Sequence, residues 1–127
     1  MIHPMLAGLV LATVFVSPAS AKLQLPEASP EAGSMQMVGV TNISINYHAP
    51  AARGRKLFGK LVPWGEVWRA GANEATTIEF AHDVSFGGRA TKAGKYALFV
   101  RPNKKGAWQV ILNSKAGQWG AYRRVAA

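Results

Sequence analysis

The chain has 127 residues, 49% of them apolar, a formal charge of +9 at neutral pH and no cysteine. This length allows one domain, and 13 glycines and 7 prolines are too few for a collagen-like or disordered chain. The lack of cysteine excludes a disulfide framework, a thiolate zinc site, an iron–sulfur cluster and a cysteine nucleophile in this chain.

The first 21 residues have the composition of a secretory signal peptide. Residues 5–16 form an uncharged apolar run, which has the length of a signal-peptide core and is shorter than the roughly 20 residues of a spanning helix. Ser17-Pro18 ends the run, and the small residues 19–21 suit signal peptidase. We therefore expect cleavage after Ala21 and a periplasmic or secreted bacterial protein. In the alternative, an uncleaved anchor helix is the chain's one contact with a membrane.

An extended lead-in over residues 22–34, with two prolines and no period, precedes the first predicted strands. Apolar and polar side chains alternate over residues 41–47, which is typical of a half-buried strand. A shorter strand over residues 35–38 comes before it, and Gly39 between the two indicates a bulge or bend.

The following segment, residues 48–65, is rich in proline, glycine and basic residues and predicts a long loop. Such loops in compact domains are usually functional or disordered. The apolar residues Leu57, Phe58, Leu61 and Val62 indicate that this loop packs against the domain, with a short element over residues 57–62.

Strand patterns return over residues 76–81 and 82–86, and Gly87-Gly88 then predicts a tight turn. The clearest hairpin joins residues 96–101 to residues 108–113, with Leu98 and Val100 opposed by Leu112 and Val110. Several short strands without a helical period predict a mostly β fold, as an antiparallel β-sandwich or a partly open barrel, after the signal-peptide helix.

The densest group of chemically versatile residues lies between His48 and Thr76. Arginine binds carboxylate, phosphate or sulfate through paired hydrogen bonds, and tryptophan stacks on aromatic rings or sugars. We therefore expect this segment to bind a small anionic or glycan-like ligand, or an envelope polymer. The candidate binding residues are His48, Arg53, Arg55, Trp64, Trp68, Arg69, Asn73, Glu74 and Thr76.

Two alternatives remain open for the same segment. Glu66 and Glu74 form the plausible acid–base pair of a hydrolase, provided that they face each other across a cleft. In a purely structural or interaction module, Trp68 belongs to the core, Arg69 pairs with Glu66 or Glu74, and Asn73 caps a turn.

The sequence contains no metal or cofactor motif, and we expect neither a metal nor a cofactor. A metal site would need His48, His82 and Glu74 to converge, because no HxH or HExxH pattern is present. The basic residues fall in loop clusters, and in an exported protein they favour anionic envelope polymers, lipid headgroups or acidic ligands over nucleic acid.

A series of motifs from residue 29 to residue 120 carries a family resemblance. The most specific block runs from Val67-Trp68-Arg69 through residues 71–78, GANEATTI. Other matching motifs are Ser29-Pro30, Arg53-Gly54-Arg55, Phe58-Gly59, Val62-Pro63, Ala93-Gly94, Trp108 with Val110 to Asn113, and Trp119-Gly120. Their order resembles the bacterial domain of unknown function DUF2911. The resemblance implies an exported, mostly β domain over residues 35–127 and supplies no substrate.

Two departures from the family pattern stand out. Ala49 lies where members tend to have an arginine before the proline, and residues from Arg123 onward do not match the strands with which members tend to continue. The chain therefore resembles a member shortened at its C-terminus. A sheet without its last strands exposes backbone edge groups, which favours aggregation, poor folding or self-association through the edge.

Overall fold

A computed structural model describes residues 25–120 and contains no helix within that range. Its strands are β1 (Glu31–Val38), β2 (Thr41–His48), β3 (Thr77–Phe80), β4 (Val84–Phe86), β5 (Arg89–Thr91), β6 (Gly94–Arg101) and β7 (Gln109–Asn113). All strand pairs are antiparallel and the sheets are not closed. The mostly β, antiparallel class is thus confirmed, whereas the signal-peptide helix and the residues after Arg123 lie outside the described residues. Within those 96 positions (25 to 120), no helix long and apolar enough to cross a membrane is found.

Five strands form one sheet in the order β1-β2-β3-β6-β7, and β4 and β5 form a separate two-stranded ribbon. Gly87 and Gly88 both have positive φ, 57° and 79°, so the predicted tight turn of the ribbon is confirmed. Gly39 begins a two-residue turn with φ 61°, and β1 therefore folds straight back on β2. The predicted opposition of Leu98 to Leu112, in the β6–β7 hairpin, is also confirmed.

The first strand is longer than its sequence pattern predicts. β1 begins at Glu31 instead of residue 35, and its first four residues pair with residues 45–48 of β2. Those four residues have no apolar alternation of their own. Their strand conformation comes from the backbone hydrogen bonds offered by β2, which a local pattern does not encode.

The two faces of β6 are both used in packing. On one face, Ala97 and Phe99 are buried with Ala75, and Val67 and Ile111 pack against them. On the other face, Ile78 and Phe80 of β3 are buried as the alternation predicts, next to Tyr96 in the register of the sheet. The ribbon covers the end of this second face, since the Phe86 and Phe80 ring centroids are 5.8 Å apart. The central strands therefore anchor two small cores.

β1 and β7 are the outer strands of the five-stranded sheet. Met35, Met37 and Val38 on β1 are exposed, and so is Val110 on β7. An exposed apolar edge strand is a template for pairing with another chain. Self-association through an exposed edge of the sheet, β1 or β7, stays a prediction.

An exposed ion pair closes the base of the ribbon. Asp83, immediately before β4, accepts hydrogen bonds from the Lys92 ammonium at 2.7 Å and from the Ala93 N–H at 2.8 Å. The Lys92 hydrogen bond, followed by that of Ala93, lowers the pKa of Asp83 below its ordinary value of 3.8. The hydrogen bond to Asp83 in turn raises the pKa of Lys92 above 10.5.

The Asp83–Lys92 pair makes the stability of the folded chain depend on pH in a defined direction. Because the pKa of Asp83 is lower in the folded chain, its stabilisation is complete above pH 3.8 and is lost as the pH falls through the folded value. The contribution of Lys92 is complete below pH 10.5 and is lost as the pH rises through its raised pKa. We expect Asp83→Asn to lower the melting temperature slightly at pH 6 and low salt, and less at pH 2 or in 1 M salt. A melting-temperature difference that is the same at pH 2 and pH 6 would contradict this assignment.

Candidate functional site

The segment after β2 returns to the sheet and extends it by one residue. Trp68 donates its N–H to the Val100 carbonyl, and Val100 donates its own to the Trp68 carbonyl, both at 2.8 Å. Gly65 donates a further hydrogen bond of 2.8 Å to the carbonyl of Pro102. The loop is therefore attached to β6 and to the hairpin that follows it.

The predicted short element over residues 57–62 is a tight turn held by its own backbone. Val62 donates to the Leu57 carbonyl and Gly59 to the Val62 carbonyl, each at 2.8 Å. Val62 is buried and Phe58 is half-buried, as expected for a loop that packs down, whereas Leu61 is exposed.

Phe58 is the centre of an aromatic cluster that joins this loop to the hairpin. Its ring centroid lies 6.0 Å from that of Trp64, 6.1 Å from that of Trp68 and 5.0 Å from that of Trp108. Centroid distances of this size are typical of stabilising aromatic pairs. Trp64 and Trp68, both predicted to bind ligand, therefore also support the structure.

A cavity of about 740 Å³ lies between this loop and the end of β2. This volume suits a small-molecule ligand. Its apolar walls include Leu57, Phe58, Val62, Val67 and Trp68. Its polar side chains belong to Ser29, Tyr47, His48, Arg55 and Arg69. Of the predicted binding residues, the cavity brings together His48, Arg55, Trp68 and Arg69.

Both cavity arginines are oriented by backbone carbonyls. Arg55 donates from Nε to Ala52 at 2.9 Å and from Nη2 to Ala51 at 2.8 Å, and Arg69 donates from Nη1 to Trp119 at 3.2 Å. Within residues 25–120, no carboxylate oxygen lies within 4.0 Å of either guanidinium. Since a guanidinium has five N–H donors, most donors of each remain available to an anion. The cavity thus combines apolar walls with positive charge that the described chain does not neutralise.

The other predicted binding residues lie outside this cavity. Arg53, Trp64, Asn73, Glu74 and Thr76 are absent from its lining. The Thr76 hydroxyl, which is buried, donates to the Ala70 carbonyl at 3.2 Å and so holds the turn between them. Asn73 has a left-handed backbone, with φ 55°, as expected of a turn residue.

The turn over residues 70–76 is pressed against the end of β2. A Cβ at Gly71 would lie 3.0 Å from the His48 carbonyl oxygen and 3.2 Å from the Thr76 hydroxyl, so a side chain here requires these neighbours to shift by a few tenths of an ångström. Ala70 lines the cavity with φ 56°, a conformation that costs a non-glycine residue about 1–2 kcal/mol. The packing of this turn therefore fixes the shape of one cavity wall.

Glu66 and Glu74, the two carboxylates considered for a hydrolase, do not line a common cavity among the two described here. Glu66 lines neither this cavity nor a second one of about 480 Å³, and Glu74 lines only the second. Glu74 instead lies beside His48, with 3.6 Å between Oε2 and Nδ1. No ion pair links Arg69 to either glutamate in the described structure, and Trp68 is only half-buried, so the purely structural alternative is also incomplete.

The three residues considered for a metal do not meet. His48 and Glu74 are neighbours near the start of β3, whereas His82 follows the end of that strand. In the part of the chain that the structure describes, no three histidine, aspartate or glutamate side chains are grouped as metal ligands.

Several cavity residues were not singled out as binding residues from the sequence. Ser29 and Tyr47 line the cavity, and so does Val67. Leu57, Phe58, Leu61 and Val62 also line it, although the sequence pattern predicts them only as packing residues. Apolar side chains in an otherwise polar loop are the signal that could indicate a cavity wall. Ser29, in the lead-in before β1, is marked in the sequence only by the family motif Ser29-Pro30.

Comparison with known proteins gives one match. The family model described as "Protein of unknown function (DUF2911)" matches residues 29–127, which is the family that the sequence motifs resemble. No curated protein and no solved structure matches the chain.

Proposed function

The chain belongs to the DUF2911 family of proteins of unknown function, and we propose that it binds a small organic anion in the cavity beside β2. The observation that carries the proposal is the pair Arg55 and Arg69, which line the cavity without a carboxylate partner among the described residues. Charge-assisted hydrogen bonds from guanidinium to carboxylate or phosphate are about twice as strong as neutral ones. An anion would therefore supply the negatively charged acceptor that neither guanidinium has among the described residues.

The walls favour a ligand with an apolar or aromatic body. Leu57, Phe58 and Trp68 offer aliphatic and ring surface, which gains free energy when it is removed from water. A sugar needs many hydrogen-bond acceptors around its hydroxyl groups, and the described lining contains no carboxylate or carboxamide side chain. An aliphatic or aromatic carboxylate therefore suits this cavity better than the glycan-like alternative.

Four probes test this proposal: octanoate, phenylpropionate and the neutral amide of each. We expect both acids to bind, and each amide to bind at least about tenfold more weakly, because a hydrogen bond to a charged group contributes about 1.5–3 kcal/mol. Arg69→Ala should weaken the acids by about tenfold or more, and Arg69→Lys by less. Ligand-observed NMR with a tryptophan fluorescence titration measures all of these affinities.

Arg89→Ala is the matched control for this experiment. Arg89 is exposed on β5, and its removal changes the net charge of the chain by the same amount without touching the cavity. We expect its affinities to equal those of the unchanged chain. The proposal would be contradicted if acid and amide bind equally, or if Arg69→Ala and Arg89→Ala lose the same affinity. It would also be contradicted if no probe binds at millimolar concentration.

We further propose that the chain is exported and cleaved after Ala21. The support is the uncharged apolar run over residues 5–16, followed by the small residues 19–21. Expression in a bacterium with a C-terminal tag should give a periplasmic or secreted product whose intact mass corresponds to a start at Lys22. Ala21→Arg should leave the precursor uncleaved, whereas Ser20→Gln, at the tolerant middle position, should be processed. A cytoplasmic product that keeps residues 1–21 would contradict this proposal.

A further inference from the structure

Two loops lie side by side at one end of the five-stranded sheet. They are residues 56–66, which follow β2, and residues 102–108, which connect β6 to β7. The Phe58 and Trp108 ring centroids are 5.0 Å apart, and the Gly65 N–H donates to the Pro102 carbonyl at 2.8 Å. We call this pair of loops the basic aromatic end.

The basic aromatic end exposes large apolar side chains. Leu61 is 54% exposed, Trp64 38% and Trp108 44%. Trp64 and Trp108 both contact the ring of Phe58, so the two indoles belong to one cluster. Grouped exposed apolar side chains of this kind mark interaction surfaces.

The charges around these side chains have one dominant sign. Lys56, Lys60, Lys104 and Lys105 are all exposed in the two loops. The two loops contain a single acidic residue, Glu66. Both ion pairs found in the described structure lie elsewhere, so neither neutralises these lysines. The surface is thus complementary to a negatively charged partner.

We propose that the basic aromatic end docks on the surface of a lipid bilayer that contains anionic headgroups. Tryptophan rings prefer the boundary between headgroups and acyl chains, and long lysine side chains extend from there toward lipid phosphates. A polybasic surface is attracted to an anionic leaflet and held by shallow insertion of its apolar side chains. This surface overlaps the cavity at Leu61, which lines both, whereas Trp64, Trp108 and the four lysines do not line the cavity.

The exposed indoles favour a bilayer over an anionic polymer. A purely electrostatic partner would be held by the lysines alone and would leave Leu61, Trp64 and Trp108 in water. A bilayer removes these side chains from water, which adds a hydrophobic contribution that persists in salt. Apolar insertion is therefore the property that an experiment must detect.

Fluorescence quenching by brominated lipids measures insertion of the tryptophans directly. All four tryptophans lie beyond residue 60, so their quenching does not report on the N-terminal segment, and the share that Trp108→Phe removes reports on the basic aromatic end. With the full chain, we expect quenching and a shift of emission to shorter wavelength on vesicles of brominated phosphatidylglycerol and phosphatidylcholine. Vesicles of brominated phosphatidylcholine alone should give little of either effect.

Two variants and two matched controls locate the surface. We expect Lys104→Gln/Lys105→Gln to need at least tenfold more lipid for half-maximal quenching, and Trp108→Phe to lose much of the quenching. Arg89→Gln/Lys95→Gln removes the same charge from exposed positions away from these loops, and Trp119→Phe removes another exposed indole. Both controls should behave as the unchanged chain within twofold.

The proposal would be overturned if no quenching is seen, if neutral vesicles quench equally, or if the controls lose as much as the two variants. It would also be overturned if the chain binds vesicles without quenching and 1 M salt abolishes that binding.

Discussion

Replacing Phe99 with alanine is expected to lower the free energy of unfolding by about 3–5 kcal/mol, the usual cost of truncating a buried phenylalanine. Phe99 is 3% exposed and lies in the core cluster with Ala75 and Ala97. Ala75 and Ala97 have only one methyl group each, so their side chains cannot extend into the space that the ring leaves. Since domains of this size are stable by about 5–15 kcal/mol, the substitution removes a large share of the total.

Urea denaturation followed by circular dichroism measures this loss. Val110→Ala is the control, because Val110 lies on the adjacent strand β7 but is 51% exposed. We expect it to cost less than about 1 kcal/mol, as most exposed substitutions do. If Phe99→Ala lowers the free energy of unfolding by less than about 1 kcal/mol, the core cluster on this face of β6 does not stabilise the domain to the expected extent.

Phe58→Ala is expected to lower the free energy of unfolding by about 2–3 kcal/mol, somewhat less than a fully buried phenylalanine, because the ring is half-buried. It also removes the common neighbour of Trp64, Trp68 and Trp108. The loop after β2 then loses its aromatic contact with the β6–β7 hairpin. We therefore expect the tryptophan emission of the folded variant to shift to longer wavelength.

Phe86→Ala separates the two effects. Phe86 is also half-buried, but its aromatic contact is with Phe80 of β3, on the sheet face covered by the ribbon. No tryptophan takes part in this contact. We expect a similar loss of stability and unchanged tryptophan emission in the folded state. If both variants leave the emission unchanged, the aromatic cluster around Phe58 does not hold the loop.

The hairpins could be predicted because their signals are local. The alternation over residues 41–47 and the Gly87-Gly88 pair depend on side-chain direction and positive φ, which neighbouring residues determine. The sequence pattern predicts the start of β1 four residues late, because the first residues of this strand carry no alternation and take their conformation from β2. Pairing between strands that lack a pattern is a long-range effect and leaves little trace in either strand.

The candidate site could be predicted only as a segment. Arg53 and Arg55 have the same chemistry and differ by two positions, yet only Arg55 lines the cavity. The reason lies in the turn between them, where Arg53 and Gly54 both have positive φ and the Arg55 guanidinium is held by the carbonyls of residues 51 and 52. The sequence similarly predicts Thr76 as a binding residue, but its hydroxyl donates a hydrogen bond to the Ala70 carbonyl within the turn.

Composition and local pattern by themselves determined that this basic, cysteine-free chain has a mostly β, antiparallel fold, and its motif order indicated the DUF2911 family. These properties depend on side-chain type, alternation and turn chemistry, all of which act over a few residues. Only the tertiary structure decided that Arg55 and Arg69 share an apolar cavity, that Glu66 and Glu74 do not form a pair there, and that both faces of β6 are packed. Such outcomes depend on where distant segments meet, and the bridge between Trp68 and Val100 brings residues 32 positions apart (100 − 68) into one sheet. Contacts over that separation are fixed by the packing of the whole chain, which no local window contains.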